Sequence, residues 1–99
     1  MTDQPTEGLV EKVAHYRALT QKALEKIKTK PGLDAKEKAL AKDFLGMAND
    51  YFKDAGFFER KGELLTALAA YSYAHAWLDA GVRAKVFDAQ GDDQLFTLP

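Results

Sequence analysis

Apolar residues recur along this chain at intervals of three and four, the spacing of a helix face, and nowhere alternate long enough for a strand. Three breaks interrupt the pattern. Lys30-Pro31-Gly32 stops a helix, because Pro cannot continue one and Gly accepts positive φ. Lys61-Gly62-Glu63 places Gly62 as the residue just past a helix end, and Gly91-Asp92-Asp93 forms the third break. The spacing therefore predicts a polar leader over 1–6, helices over 7–30, 34–61 and 63–88, and a tail over 89–99, all in a single helical domain. Asp34 with Glu37 three residues later reads as a capping box opening the second helix. Short loops between helices this long favour antiparallel neighbours. The expected fold is all-α, an antiparallel up-down-up three-helix bundle in which helices 2 and 3 form a tight helical hairpin.

The three stripes differ in width. Helix 1 carries a narrow one: Leu9, Val13, Tyr16, Thr20, Ala23, Leu24 and Ile27. Helix 2 carries a wider one running from Leu40 to Phe58, and Phe57 falls on its polar side. Helix 3 is apolar nearly all round. Leu64, Leu68, Tyr71, His75, Leu78 and Val82 lie on one side, and Tyr73, Trp77, Ala80 and Ala84 on another. Between them runs a seam of small residues, Ala67, Ala70, Ala74 and Gly81, which lets another helix approach closely. Apolar residues number 10 of 24, 13 of 28 and 17 of 26 in the three spans, which makes helix 3 the central element. Its surplus face needs a cover. Either the tail, with Leu95, Phe96 and Leu98, lies over it, or a second copy does. The sequence favours a homodimer with Tyr73, Trp77, Ala80 and Ala84 at the interface.

Composition narrows the function classes. With 99 residues there is room for one core, and with no Cys there is no disulfide framework, thiolate metal site or Cys nucleophile. A net charge of −1 gives no reason to expect a general binder of nucleic acid or anionic membranes. No run of about 20 apolar residues spans a membrane, and the N-terminus lacks the basic start and apolar run of a signal peptide, so a cytoplasmic protein is expected. Charge is nonetheless uneven: +2 over 1–33, zero over 34–62 and −3 over 63–99. Lys26, Lys28, Lys30, Lys36, Lys38 and Lys42 gather at the first loop, a candidate phosphate contact for weak nucleic-acid binding. No aromatic is interleaved for base stacking, and a solvated face is the plainer reading.

The run Tyr51-Phe52-Lys53-Asp54-Ala55, followed by Phe58, Lys61-Gly62-Glu63 and Tyr73-Ala74-His75-Ala76-Trp77-Leu78-Asp79-Ala80-Gly81, resembles an archaeal family of unknown function, domain of unknown function 357. The resemblance covers helices 2 and 3, about half the chain. It implies a small all-helical domain and assigns no activity. Ala76 stands where the family commonly has Gly, which implies a slightly wider helix approach. The Gly-linked hairpin also has the shape of a tetratricopeptide-type pair, but only one such unit is present.

Candidate chemistry concentrates on helix 3. Tyr71, His75, Asp79 and Arg83 stand four residues apart and form a ladder on one side. A carboxylate one turn from an imidazole fixes its tautomer, and a phenol beside it donates or accepts, so Tyr71, His75 and Asp79 are candidates for a ligand-binding or hydrolase-like site completed by Asp54 or Asp50. The plainer reading is a structural network, in which a partly buried His is satisfied by Asp79 or Tyr71. Two ligands from one helix fall short of a metal's coordination sphere, His15 lies on the polar side of helix 1, and no phosphate-binding loop or nucleophile elbow is present, so no metal or cofactor is expected. The leading expectation is a non-enzymatic protein-interaction or scaffold module with an unspecified protein partner.

Overall fold

A computed structural model describes residues 5–99, with side chains from Gly8 onward, and contains three helices and a minute two-stranded sheet. Helix α1 spans Pro5–Lys26, strand β1 Lys28–Thr29, helix α2 Ala35–Arg60, helix α3 Leu64–Arg83 and strand β2 Phe87–Asp88. The all-α antiparallel bundle with an α2–α3 hairpin is thus the observed fold.

Each boundary has a local cause. Pro5 opens α1, where a residue without an N–H leaves no bond unmade. The expected leader over 1–6 therefore gives up residues 5 and 6 to the helix, and residues 1–4 lie outside the described part. The capping box on α2 forms in full: Asp34 accepts from the Glu37 N–H at 2.8 Å, and Glu37 accepts from the Asp34 N–H at 3.0 Å. At the hairpin Gly62 takes φ 80°, its N–H donates to Glu59 O at 3.0 Å, and the Glu63 N–H donates to Phe58 O at 2.9 Å. This is a Schellman end, and it turns the chain straight into α3.

Two helix ends depart from the expected 30 and 88. Helix α1 stops at Lys26, and Lys28–Thr29 leaves it extended to pair antiparallel with Phe87–Asp88, Lys28 opposite Asp88 and Thr29 opposite Phe87. The Lys30 N–H continues the ladder to Val86 O at 2.9 Å. Helix α3 stops at Arg83 in a second Schellman end: the Lys85 N–H donates to Val82 O and the Val86 N–H to Gly81 O, both at 3.0 Å. Here the left-handed position belongs to Lys85, at φ 65°, so no Gly marks the stop in the sequence. The expectation of no strand is likewise corrected, because strands this short carry no alternation and exist only through their pairing.

Helix α3 lies in the middle. It packs along the length of α2 on one side and against α1 on another, while α1 and α2 scarcely meet. The buried positions of α2 are Ala41, Ala48 and Ala55, seven residues apart, and on α3 Ala67, Ala74 and Gly81 repeat at the same interval. Small residues on two helices remove the bulk that would hold them apart, so Ala67 and Ala74 of the expected seam lie buried in the α2–α3 hairpin, while Ala70 is half-buried at a surface hollow and Gly81 faces Phe87 of β2. Ala76 is exposed and takes no part in the hairpin packing, so the wider approach implied by that departure from the family pattern does not arise.

The core has two parts. Val13, Ala55, Ala67 and Tyr71 fill the hairpin end. Leu78, Val82, Val86, Phe87 and Phe96 fill the other end, with Ala23, Ala41, Ala48 and Ala89. The expected apolar stripe of α1 faces inward throughout, with Val13, Thr20 and Ala23 buried. Phe57 is half exposed, as its polar-side position implies, and lies under Lys61 with Nζ 5.3 Å from the ring centroid.

Phe87 lies directly on the bare backbone of Gly81. A Cβ on Gly81 would lie 2.1 Å from the Phe87 ring, and Phe87 is buried. Gly81→Ala is therefore expected to cost about 1–3 kcal/mol through overpacking. Gly46, also inside a helix, has nothing within 4 Å of an added Cβ. Gly46→Ala is expected to stabilise by about 0.5–1 kcal/mol, the ordinary helix gain. Urea unfolding of the two variants beside the parent chain measures both signs.

Candidate functional site

The ladder on α3 is real, and every rung has a partner on another element. Tyr71 is buried and its hydroxyl donates to Glu59 Oε1 of α2 at 2.8 Å. The other oxygen of Glu59 is bound by the Arg17 guanidinium of α1. One carboxylate thus joins all three helices. Next, His75 Nε2 lies 2.6 Å from the carbonyl oxygen of Leu95. A carbonyl only accepts, so Nε2 carries the hydrogen and donates it. The other ring nitrogen, Nδ1, lies 3.1 Å from the hydroxyl of Thr20, a polar side chain buried in the α1 stripe. Asp79 Oδ1 accepts from the Thr97 N–H at 2.9 Å, and Arg83 donates to Leu98 O at 3.3 Å.

The ladder therefore divides by height. Its lower rung, Tyr71, locks the helices together. Its upper three, His75, Asp79 and Arg83, hold main-chain groups of the segment 95–98. That segment is also anchored by Phe96, 3% exposed in the core, and by Asp92, which receives the N–H groups of Gln94 and Leu95 at 3.0 and 3.1 Å and pairs with Lys26 at 2.9 Å. Lys26 holds the Asp92 carboxyl below its ordinary range, helped by the Leu95 N–H. The tail thus takes up part of the surplus face of α3.

Burial alone would push the Glu59 carboxyl up, but hydrogen bonds from Arg17 and Tyr71 outweigh it and hold that carboxyl below its ordinary range. The same bond to Glu59 raises the Arg17 guanidinium. Burial first, and then the hydrogen bond to the Glu59 carboxylate, pushes the Tyr71 phenol up to about 12.

The carboxylates expected to complete a site stand elsewhere. Asp54 is exposed beside Tyr51, Phe58, Thr66 and Tyr73, around a hollow of about 380 Å³ between α2 and α3, and no hydrogen bond joins Asp54 or Asp50 to the ladder. Glu59 takes the position expected of them. Sequence reasoning passed over Glu59, Arg17 and Thr20, although Thr20 stood out as the one polar member of an otherwise apolar or aromatic stripe. Among the described residues, no three His, Asp or Glu side chains are grouped to hold a metal, and no helix is long and apolar enough to cross a membrane.

Of the interface candidates, Tyr73 is 47% exposed, Ala80 and Ala84 are exposed, and Trp77 is half-buried. Four rings run in sequence across the hairpin. Tyr51 meets Tyr73 edge-on at 4.5 Å, Tyr73 meets Trp77 at 6.0 Å, and Trp77 meets Phe44 at 5.2 Å.

Fold and ladder together define a small all-α protein in which the second helix of a glycine-turned hairpin gathers contacts from both other helices, β2 and the tail. The model of one family, described as a protein of unknown function (DUF357), matches residues 15–87, and the chain belongs to that family. The match reaches beyond the hairpin to take in most of α1 and the start of β2. No curated protein and no solved structure gives a match to the chain.

The Glu59–Tyr71 bond sets a pH dependence at both extremes. The folded-state phenol of Tyr71 lies above its unfolded value of about 10, so its contribution to stability is full below pH 10 and is lost as pH rises toward about 12. Glu59 is shifted down, so its contribution is full above an unfolded value of about 4.3 and is lost as pH falls through the folded one. Ultraviolet phenolate titration is expected to show one tyrosine ionising near 12, absent in Tyr71→Phe. The same variant is expected to lose about 1 kcal/mol in urea unfolding at neutral pH.

Proposed function

We propose that this chain is a non-enzymatic interaction module that self-associates through the outward face of α3. The observation that carries the reading is what remains uncovered after every element has docked. Leu65 is 71% and Tyr73 47% exposed, and Ala69, Ala76, Ala80 and Ala84 are exposed along the same helix. With α2, α1 and the tail all seated on α3, Leu65 and the alanines of this strip stay exposed among the described residues, and Tyr73 leans on α2 only through Tyr51. Alanines let a second helix approach closely, and Tyr73, backed by Tyr51 and Trp77, offers a rigid aromatic anchor of the kind that dominates interface energetics. A second copy presenting the same strip would bury both at once, as a two-fold dimer does. The rungs of the ladder support the same reading, since their polar atoms are engaged in holding the fold.

Sedimentation equilibrium at micromolar concentration tests this reading. The parent chain is expected to be dimeric, and Tyr73→Lys is expected to be monomeric with an unchanged helical circular dichroism signal. A parent chain that stays strictly monomeric would remove self-association from the account.

A further inference from the structure

Tyr51, Asp54 and Phe58 stand three and four residues apart along α2, and Thr66, Ala70 and Tyr73 four and three apart along α3, so each set shares one helix face. The turn at Gly62 sets the two faces opposite one another. Tyr51 and Tyr73 are each eleven residues from it, Asp54 and Ala70 each eight, Phe58 and Thr66 each four. At the level of Asp54 the opposing residue is only an alanine, and Ala69 beside it is no larger, so the helices leave a hollow of about 380 Å³ there. That volume falls within the range of small-molecule sites, about 300–1,000 Å³.

Three aromatic rings wall this hollow. Tyr51 and Tyr73 meet at 87° with centroids 4.5 Å apart, a right-angled corner, and Phe58 stands one turn beyond Asp54 on α2. The face of an aromatic ring is the negative side of its quadrupole, which attracts cations and repels anions. The one charged side chain on the lining, Asp54, is also negative, and none of the ion pairs among the described residues engages it. Rings and carboxylate thus select the same sign of charge. The rest of the lining selects the kind of cation. A metal ion asks for about six oxygen ligands, and a bare ammonium brings three donors that each need an acceptor. A lining of rings and alanines with one carboxylate supplies neither set. An alkylated ammonium brings no such demand, and its methyl groups bury against the rings and Ala69 and Ala70. Asp54, Thr66 and Tyr73 are exposed, so such a molecule enters without displacing any part of the chain.

We propose that this hollow is a binding site for a small alkylated ammonium ion, seated against Tyr51, Phe58 and Tyr73 with its charge facing Asp54. All its walls come from one chain, so the site does not rest on self-association, although Tyr73 belongs to both surfaces.

The probe is tetramethylammonium chloride, titrated into the full chain at constant ionic strength and followed by NMR. Its methyl protons are expected to move upfield, because ring currents shield a group held over aromatic faces. Amides of Tyr51, Asp54, Ala70 and Tyr73 are expected to shift along the same saturation curve. tert-Butyl alcohol, a neutral molecule of nearly the same shape, is expected to bind about fivefold more weakly or worse. Asp54→Asn is isosteric at an exposed position, and Tyr51→Leu keeps apolar bulk without a ring. Each is expected to weaken the cation about two- to fivefold. Circular dichroism confirms that the helices persist. The titration is repeated on Ala80→Glu, which breaks the self-associating strip at an exposed position off the hollow. Binding by that chain alone would uphold the site and show that pairing covers it. No saturable shift in either chain, equal binding of tert-butyl alcohol, or unchanged binding by both Asp54→Asn and Tyr51→Leu would overturn the proposal.

Discussion

The close approach of α2 and α3 is the constraint on which everything else depends. Alanines seven residues apart on α2, and Ala67 and Ala74 seven apart on α3, are buried where the two helices pack and leave little bulk between them. Gly62 supplies the turn that puts those repeats in register: Tyr51 and Tyr73, each eleven residues from it, meet edge-on. Because the seam is built from small residues, the larger ones of both helices are displaced to its flanks. There Tyr71, Leu78 and Val82 become the surface on which α1, β2 and the tail assemble. Gly81 is the bare backbone on which Phe87 lies.

From this follows the unequal character of the three helices. Helix α3 is the most apolar of the three because α1, α2, β2 and the tail all pack on it, and the polar groups of its ladder are placed where a neighbour needs tying. Glu59 joins Tyr71 and Arg17, fastening the three helices at one level, and His75, Asp79 and Arg83 fasten the tail at the next levels. Each such bond is modest, but leaving buried Tyr71 or half-buried Glu59 and His75 unpaired would cost more than the bond contributes. The network is therefore read as specifying geometry more than adding stability.

Much of this was legible in the sequence. Asp34 with Glu37, Gly62 and the stripe on helix 1 are local signals, and each specifies local structure. The ladder was legible too, because its four-residue spacing depends only on helix geometry. What could not be read was who stands opposite. Asp54 and Glu59 lie on the same helix, and only the packed arrangement decides that Glu59 meets Tyr71 while Asp54 faces a surface hollow. The ends of α1 and α3 were overrun for a related reason. Lys85 takes the left-handed position that a Gly normally announces, and the two-residue strands exist only because the chain returns to pair them. The tail's use of main-chain atoms left no trace in residue types at all.

Helix α3 is the element on which the other helices, β2 and the tail dock. Native-state hydrogen exchange of the full chain tests this most directly, because it ranks the opening free energy of every amide. Amides of α3 from Ala74 to Leu78 are expected to exchange only through global unfolding, while those of α1 before Val13 and those of Leu95 to Leu98 exchange through smaller openings. If the α3 amides exchanged through openings as small as those of α1, or if α1 outlasted α3, the central role given to that helix would be contradicted.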